Sequence, residues 1–226
     1  MISQKKAPYL LIAALFALGV LMPFVIKKYH LNMLTEIIVF ALYAVTLAPT
    51  TAFWDASEYI ATAHILGIPH PPGNALFVVL ARAWSVVLSP FGIPVAVRVN
   101  LFAAATSAVA GGFLFLVAHR VLVALLDDHR RALAGAAAAT LLGATAFTVW
   151  NQSNVNEKVY TLSVLVIAAV SWLAVRWRDL RDVEGSERYL LWAVFLMALG
   201  STNHLMSVLP LPALAALVLV SDPVAV

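Results

Sequence analysis

Eight apolar runs, at about 8–26, 34–52, 74–90, 98–126, 131–149, 159–175, 189–201 and 205–220, fill most of the 226 residues. Several approach the roughly 20 helical residues that cross the hydrocarbon core of a bilayer. Charged residues make up 11% of the chain, against about 25% in soluble domains. The alternating pattern of a membrane barrel is absent, which leaves helices as the spanning element. The sequence therefore predicts an all-α polytopic membrane protein. It reads as a single transmembrane domain over 1–226 with about seven spanning helices and no internal repeat. The net charge of +3 is no nucleic-acid footprint, because Lys and Arg in such chains collect in cytoplasmic loops. With no cysteine, disulfides and thiolate metal sites are excluded. The run from Pro8 to Ile26 is long for a signal peptide and lacks a small-residue cleavage site before Lys27, so it reads as an uncleaved span.

Loop charge orients the runs. Arg120, Arg130 and Arg131 mark one loop, and Arg176, Arg178, Arg181 and Arg188 mark another, so both are assigned to the cytoplasmic side. Segments 51–73 and 201–205 hold no Lys or Arg, and 150–158 holds only Lys158 at its edge. These three are assigned to the opposite side. An odd number of crossings must then separate segment 51–73 from Arg130. The run 74–90, which contains Arg82 and Pro90 and is followed by Pro94, is therefore read as an interfacial helix that does not cross.

Segment 53–73, FWDASEYIATAHILGIPHPPG, is the polar anomaly. Asp55 and Glu58 have the spacing of a capping box at the start of a helix over about 56–66. The same spacing puts two carboxylates on one helical face, where one serves as a general base and the other orients an acceptor. His70 heads the proline-stiffened IPHPPG turn, suited to a phosphate or a sugar hydroxyl. His64 and His70 lack the compact spacing of a zinc motif, so no metal site is assigned. NQSNVNEKVY at 151–160 and STNHLMS at 201–207 read individually as polar turns, but both fall on the same side as Asp55. Asp127 and Asp128 lie beside His129, Arg130 and Arg131 and read as a solvated, self-neutralising turn.

Taken in order, TLAPTTAFWDASEYIATAHILGIPHPPGNAL, VRVNLFAAATSAVAG, TVWNQSNVNEKVYTLS and LGSTNHLMS resemble the transmembrane protein 260-like family. That family, formerly a domain of unknown function, is similar to GT-C type protein O-mannosyltransferases. The chain departs from its pattern in DASE for DSGE, in HPPGNAL for HPPG-x-PL, and in an extra Lys158 after Glu157.

The resemblance implies a GT-C glycosyltransferase-like bundle with interfacial helices at about 56–66 and 74–90 in its first non-cytoplasmic loop. It implies sugar transfer from a polyprenyl-phosphate donor to a protein, lipid or glycan hydroxyl, with Asp55 as general base and Glu58 orienting substrate. His64, His70, Arg82, Arg98, Glu157, Tyr160, Asn203 and His204 are the implied substrate-binding residues. No cofactor is firmly implied, a divalent metal is left open, and no nucleic acid is implied. The expected location is a bacterial inner membrane, with the site on the non-cytoplasmic face. GT-C enzymes generally have more helices, so the chain is expected to be the N-terminal part of a longer enzyme or to need a partner for acceptor recognition. The alternatives are a non-catalytic lipid-binding or transport protein on the same scaffold, or an inactive fragment.

Overall fold

A computed structural model describes residues 27–52, 54–156 and 159–221, together with 13, 14 and 17. Most of the first apolar run, and Glu157, lie outside the described residues. Among those described, every regular element is helical, as the apolar runs predict. The helices are α1 (Lys28–Val45), α2 (Ala56–Ile65), α3 (Ala75–Val87), α4 (Val95–Leu125), α5 (His129–Thr145), α6 (Phe147–Asn154), α7 (Tyr160–Leu180), α8 (Glu187–Ser201) and α9 (Leu211–Ser221). Short 3-10 turns at Ser89–Phe91 and Leu205–Val208 complete the chain.

α4 is the axis of the bundle and packs against α1, α5 and α7. Its 31 residues span about 46 Å at 1.5 Å per residue. The contact faces are lined with small residues: Ala103, Ala104, Ala108 and Ala110 on α4, Ala132, Ala136 and Ala137 on α5, and Ala168 on α7 are buried. Lipid tails are as apolar as leucine, so helices in a bilayer associate through close packing of this kind. Hydroxyls add cross-links, with Thr106 donating to Thr161 at 3.0 Å and Ser153 to Ser107 at 2.8 Å.

Among the described residues, two helices, α4 and α7, are long and apolar enough to cross a membrane. A third crossing arises if α5 and α6, bent by 66° at their junction, form one broken span. The about seven spans expected from the apolar runs are thus not all matched by long helices. α2 and α3, at 10 and 13 residues, fall short of the roughly 20 needed to cross. α3 packs on α2 and on the first turns of α4 around Tyr59, Phe77, Val99 and Phe102.

Several of the loop cations share one end of the bundle. Lys28, Arg120 and Arg176 gather at one end, where Arg120 pairs with Asp179 at 2.8 Å. Asp128 caps α5, accepting from the amides of Arg130 and Arg131. At the other end the polar loops meet. The Ala48 amide donates to the Asn154 carbonyl at 2.9 Å, and the Asn203 amide nitrogen Nδ2 donates to the Val159 carbonyl at 3.0 Å.

Gly200 sets the approach of α8 to the Leu205–Val208 turn, because a Cβ there would lie 2.7 Å from the Ser207 Cβ and 3.0 Å from a Val166 methyl. Gly200→Ala is expected to cost about 1–3 kcal/mol as overpacking. A thermal melt of the purified protein reads this as a lowered Tm with helical content unchanged.

Candidate active site

The site is built where α2 begins. Asp55 stands at its N-cap and Glu58 in its first turn, but neither forms the capping box that the spacing predicts. The Asp55 side chain makes no capping bond. Glu58 turns outward to the IPHPPG loop instead, where its Oε1 accepts from the His70 amide at 2.6 Å and its Oε2 meets His70 Nδ1 at 2.8 Å. A tertiary pair across twelve residues outcompetes the local cap because it satisfies the carboxylate with two donors instead of one. These two bonds hold the Glu58 carboxyl below its ordinary value of 4.5.

Asp55, Glu58 and His70 offer one ligand atom each within 4.8 Å of one another. Two carboxylates and an imidazole at that separation can share a proton, grip a polar substrate or hold a divalent cation. The proximity of His70 to the acids is legible only in the fold.

Beneath the triad, Tyr59 is buried with its ring 5.8 Å from that of His70. Its hydroxyl donates to Asn74 Oδ1 at 3.1 Å. Burial, with Asp55, Glu58 and Tyr160 adding to it, pushes the phenol up to about 12, so Tyr59 remains a donor. Asn74 follows the HPPG turn in a left-handed conformation (φ 41°) and hydrogen bonds through Nδ2 to the Asn203 carbonyl. Asn203 is fully buried and bonds Ser163 at 2.8 Å and the Val159 carbonyl. Asn203 therefore ties three loops together from within. His204 packs edge-on against Tyr160, with ring centroids 5.4 Å apart.

Asn100 anchors the approach to Asp55. It donates to the carbonyls of Ala48 and Thr50 at 2.9 and 3.3 Å and accepts from the Asn156 amide at 2.9 Å. Tyr59, Asn74 and Asn100 are structural parts of the site that sequence reasoning passed over. The signal was present for Asn100, which is the polar residue of the VRVNL motif inside an apolar helix.

Three predicted residues sit elsewhere. His64 is at the far end of α2, about 13 Å along the helix from Asp55. Arg82 donates to the His64 carbonyl at 2.5 Å, and Arg98 to the Ser85 carbonyl at 2.6 Å. Both carbonyls belong to last turns, of α2 and α3, whose terminal oxygens have no helical partner. The two arginines thus act as C-terminal caps, a use that local spacing does not reveal.

Tyr160 also joins the site to a cavity of about 520 Å³ between α4, α5, α6 and α7. Its walls are mainly apolar, with Gly111 and Gly143 on its sides and Gln152 and Tyr160 among its polar lining.

The fold and site define an all-α membrane protein whose polar loops present a carboxylate–imidazole cluster beside an apolar cavity. The chain belongs to the family described as the Protein O-mannosyl-transferase TMEM260 N-terminal domain, matched over residues 55–225. It is 30% identical over 168 residues to the mouse Protein O-mannosyl-transferase TMEM260, covering 73% of this chain and 22% of that protein. It is 25% identical over 176 residues to the Dictyostelium discoideum Protein O-mannosyl-transferase tmem260, covering 72% of this chain and 20% of that one. The chain thus spans about a fifth of the length of these curated relatives. No solved structure matches it.

Proposed function

We propose that the chain carries the sugar-transfer site of a GT-C type glycosyltransferase, one that moves a mannose-like sugar from a polyprenyl-phosphate donor to a hydroxyl on an acceptor protein. The observation that carries the reading is that Tyr160 is shared. It packs edge-on against His204, next to Asn203, whose carbonyl accepts from Asn74 under the acid cluster, and it also lines the apolar cavity. A lipid-linked sugar needs such a pairing, with an isoprenoid chain in the cavity and its phosphate and sugar near Asp55. The names of the mouse and slime-mould relatives support the reaction class.

In this reading Asp55 takes the proton of the acceptor hydroxyl as that oxygen attacks the anomeric carbon. The C–O bond to the lipid phosphate breaks on the opposite face, so configuration inverts. The phosphate leaves with the bonding pair and needs no second acid. Glu58 and His70 act as a coupled pair, the imidazole facing the phosphate and the carboxylate holding it there. Tyr160 and His204 flank the sugar, while Arg82 and Arg98 support the frame. The site faces the non-cytoplasmic side, of a bacterial inner membrane in this reading.

Gly143→Leu tests the lipid assignment. Nothing lies within 4 Å of a Cβ placed there, and Gly143 lines the cavity, so a side chain starts there in open space. The donor KM is expected to rise about tenfold, a loss of 1.4 kcal/mol of binding, with Tm unchanged. A KM that does not move would remove the cavity from the donor path.

A further inference from the structure

At the end of the bundle away from the acids, α1, α4, α5 and α7 bring together a second polar cluster that the transfer reaction does not use, with His119 buried, Lys28 and Arg176 half-buried and His129 exposed. His119 on α4 is 5% exposed, and both of its ring nitrogens lack a hydrogen-bond partner among the described residues. Its ring stacks on Phe115 and meets the ring of His129 edge-on at 5.1 Å. Lys28, His129 and Arg120 lie within electrostatic reach of it. The indole of Trp172 is flanked by two cations, with Lys28 Nζ 5.7 Å and Arg176 Cζ 5.8 Å from its centroid. Asp179 is the acid in this group and is committed to Arg120 at 2.8 Å.

Cations at this end follow from the charge rule for membrane proteins. That rule does not require them, however, to gather around a buried imidazole whose nitrogens have no partner among the described residues. A buried polar group without a partner and several like charges held together are both unfavourable. An anion seated among them relieves both. The cluster lies at the ends of α4 and α7, the two helices suited to crossing the bilayer, and Tyr29 adds a second aromatic against Lys28. Basic pockets between spanning helices, rimmed by aromatics at headgroup depth, suit phosphodiester headgroups.

We propose that Lys28, His119, His129 and Arg176 form a binding site for the phosphate of an anionic glycerophospholipid from the leaflet at this end of the bundle. The bound lipid staples α1 to α4 and α7. This site is independent of the sugar-transfer reading and stands whether or not that reading holds.

The test is native mass spectrometry of the full chain released from nanodiscs of equal phosphatidylglycerol and phosphatidylcholine. One phosphatidylglycerol is expected to be retained in preference to phosphatidylcholine. Lys28→Gln and Arg176→Gln are each expected to weaken retention about fivefold, the contribution of one charge near a membrane surface. Lys28→Arg should retain the lipid, and Arg131→Gln on the exposed turn should leave retention unchanged. Gel filtration confirms that each variant is folded, and the Arg176→Gln reading stands alone if Lys28→Gln is not. Equal retention of the two lipids would overturn the proposal. So would an equal loss in Arg131→Gln, or thermal protection in detergent by inorganic phosphate that matches phosphatidylglycerol.

Discussion

Asp55→Asn is expected to lower sugar transfer from a lipid donor by about 100- to 10,000-fold, the range for losing a general base. Tm and membrane insertion should stay close to wild type. The structure makes this substitution a cleaner probe than the sequence alone suggests. Asp55 occupies the N-cap of α2 but makes no side-chain capping bond, and asparagine is in any case a good N-cap. A merely structural Asp55 would therefore tolerate the change, and activity would survive. A lipid-binding or transport protein on this scaffold would keep its lipid flux in the same variant. Transfer of labelled sugar from polyprenyl phosphate in isolated membranes separates these outcomes, with lipid flux measured alongside.

Asn100→Ala should produce the largest loss of stability. One fully buried side chain serves the carbonyls of Ala48 and Thr50 and the amide of Asn156. Truncation leaves three backbone groups without that partner. At about 1–3 kcal/mol for each buried group left unsatisfied, a total of about 3–5 kcal/mol is expected after partial relaxation. The loop from Ala48 to Asp55 would then lose its register against α4. Tm and transfer activity should fall together, whereas Asp55→Asn moves activity alone. An Asn100→Ala protein that melts like wild type would show that the loop is held by other contacts.

The chain's apolar runs made its helical class legible, because composition at that extreme leaves few alternatives. The two short helices were also legible. The expected 56–66 and 74–90 became Ala56–Ile65 and Ala75–Val87, since proline, glycine and charge punctuate that region densely. The polar segment NQSN was harder. It reads as a turn, yet it is helical in α6. Its polarity is absorbed by tertiary partners, with Ser153 bonding Ser107 and the Asn154 carbonyl receiving the Ala48 amide. The capping box failed for the same reason, as Glu58 found His70 across a loop. The family resemblance implies substrate binding for Arg82 and Arg98, and the structure shows each on a helix-end carbonyl. Their use on the open carbonyls of α2 and α3 depends on helix placement that spacing does not encode.

The central claim is that the cluster at Asp55 transfers a sugar from a lipid phosphate with inversion. The most direct measurement incubates the full chain in nanodiscs with β-linked polyprenyl-phosphate mannose and an acceptor protein, then determines the anomeric configuration of the product. The account predicts an α-mannosyl product, formed by wild type and absent with Asp55→Asn. A β-mannosyl product, or equal product from the Asp55→Asn protein, would contradict it.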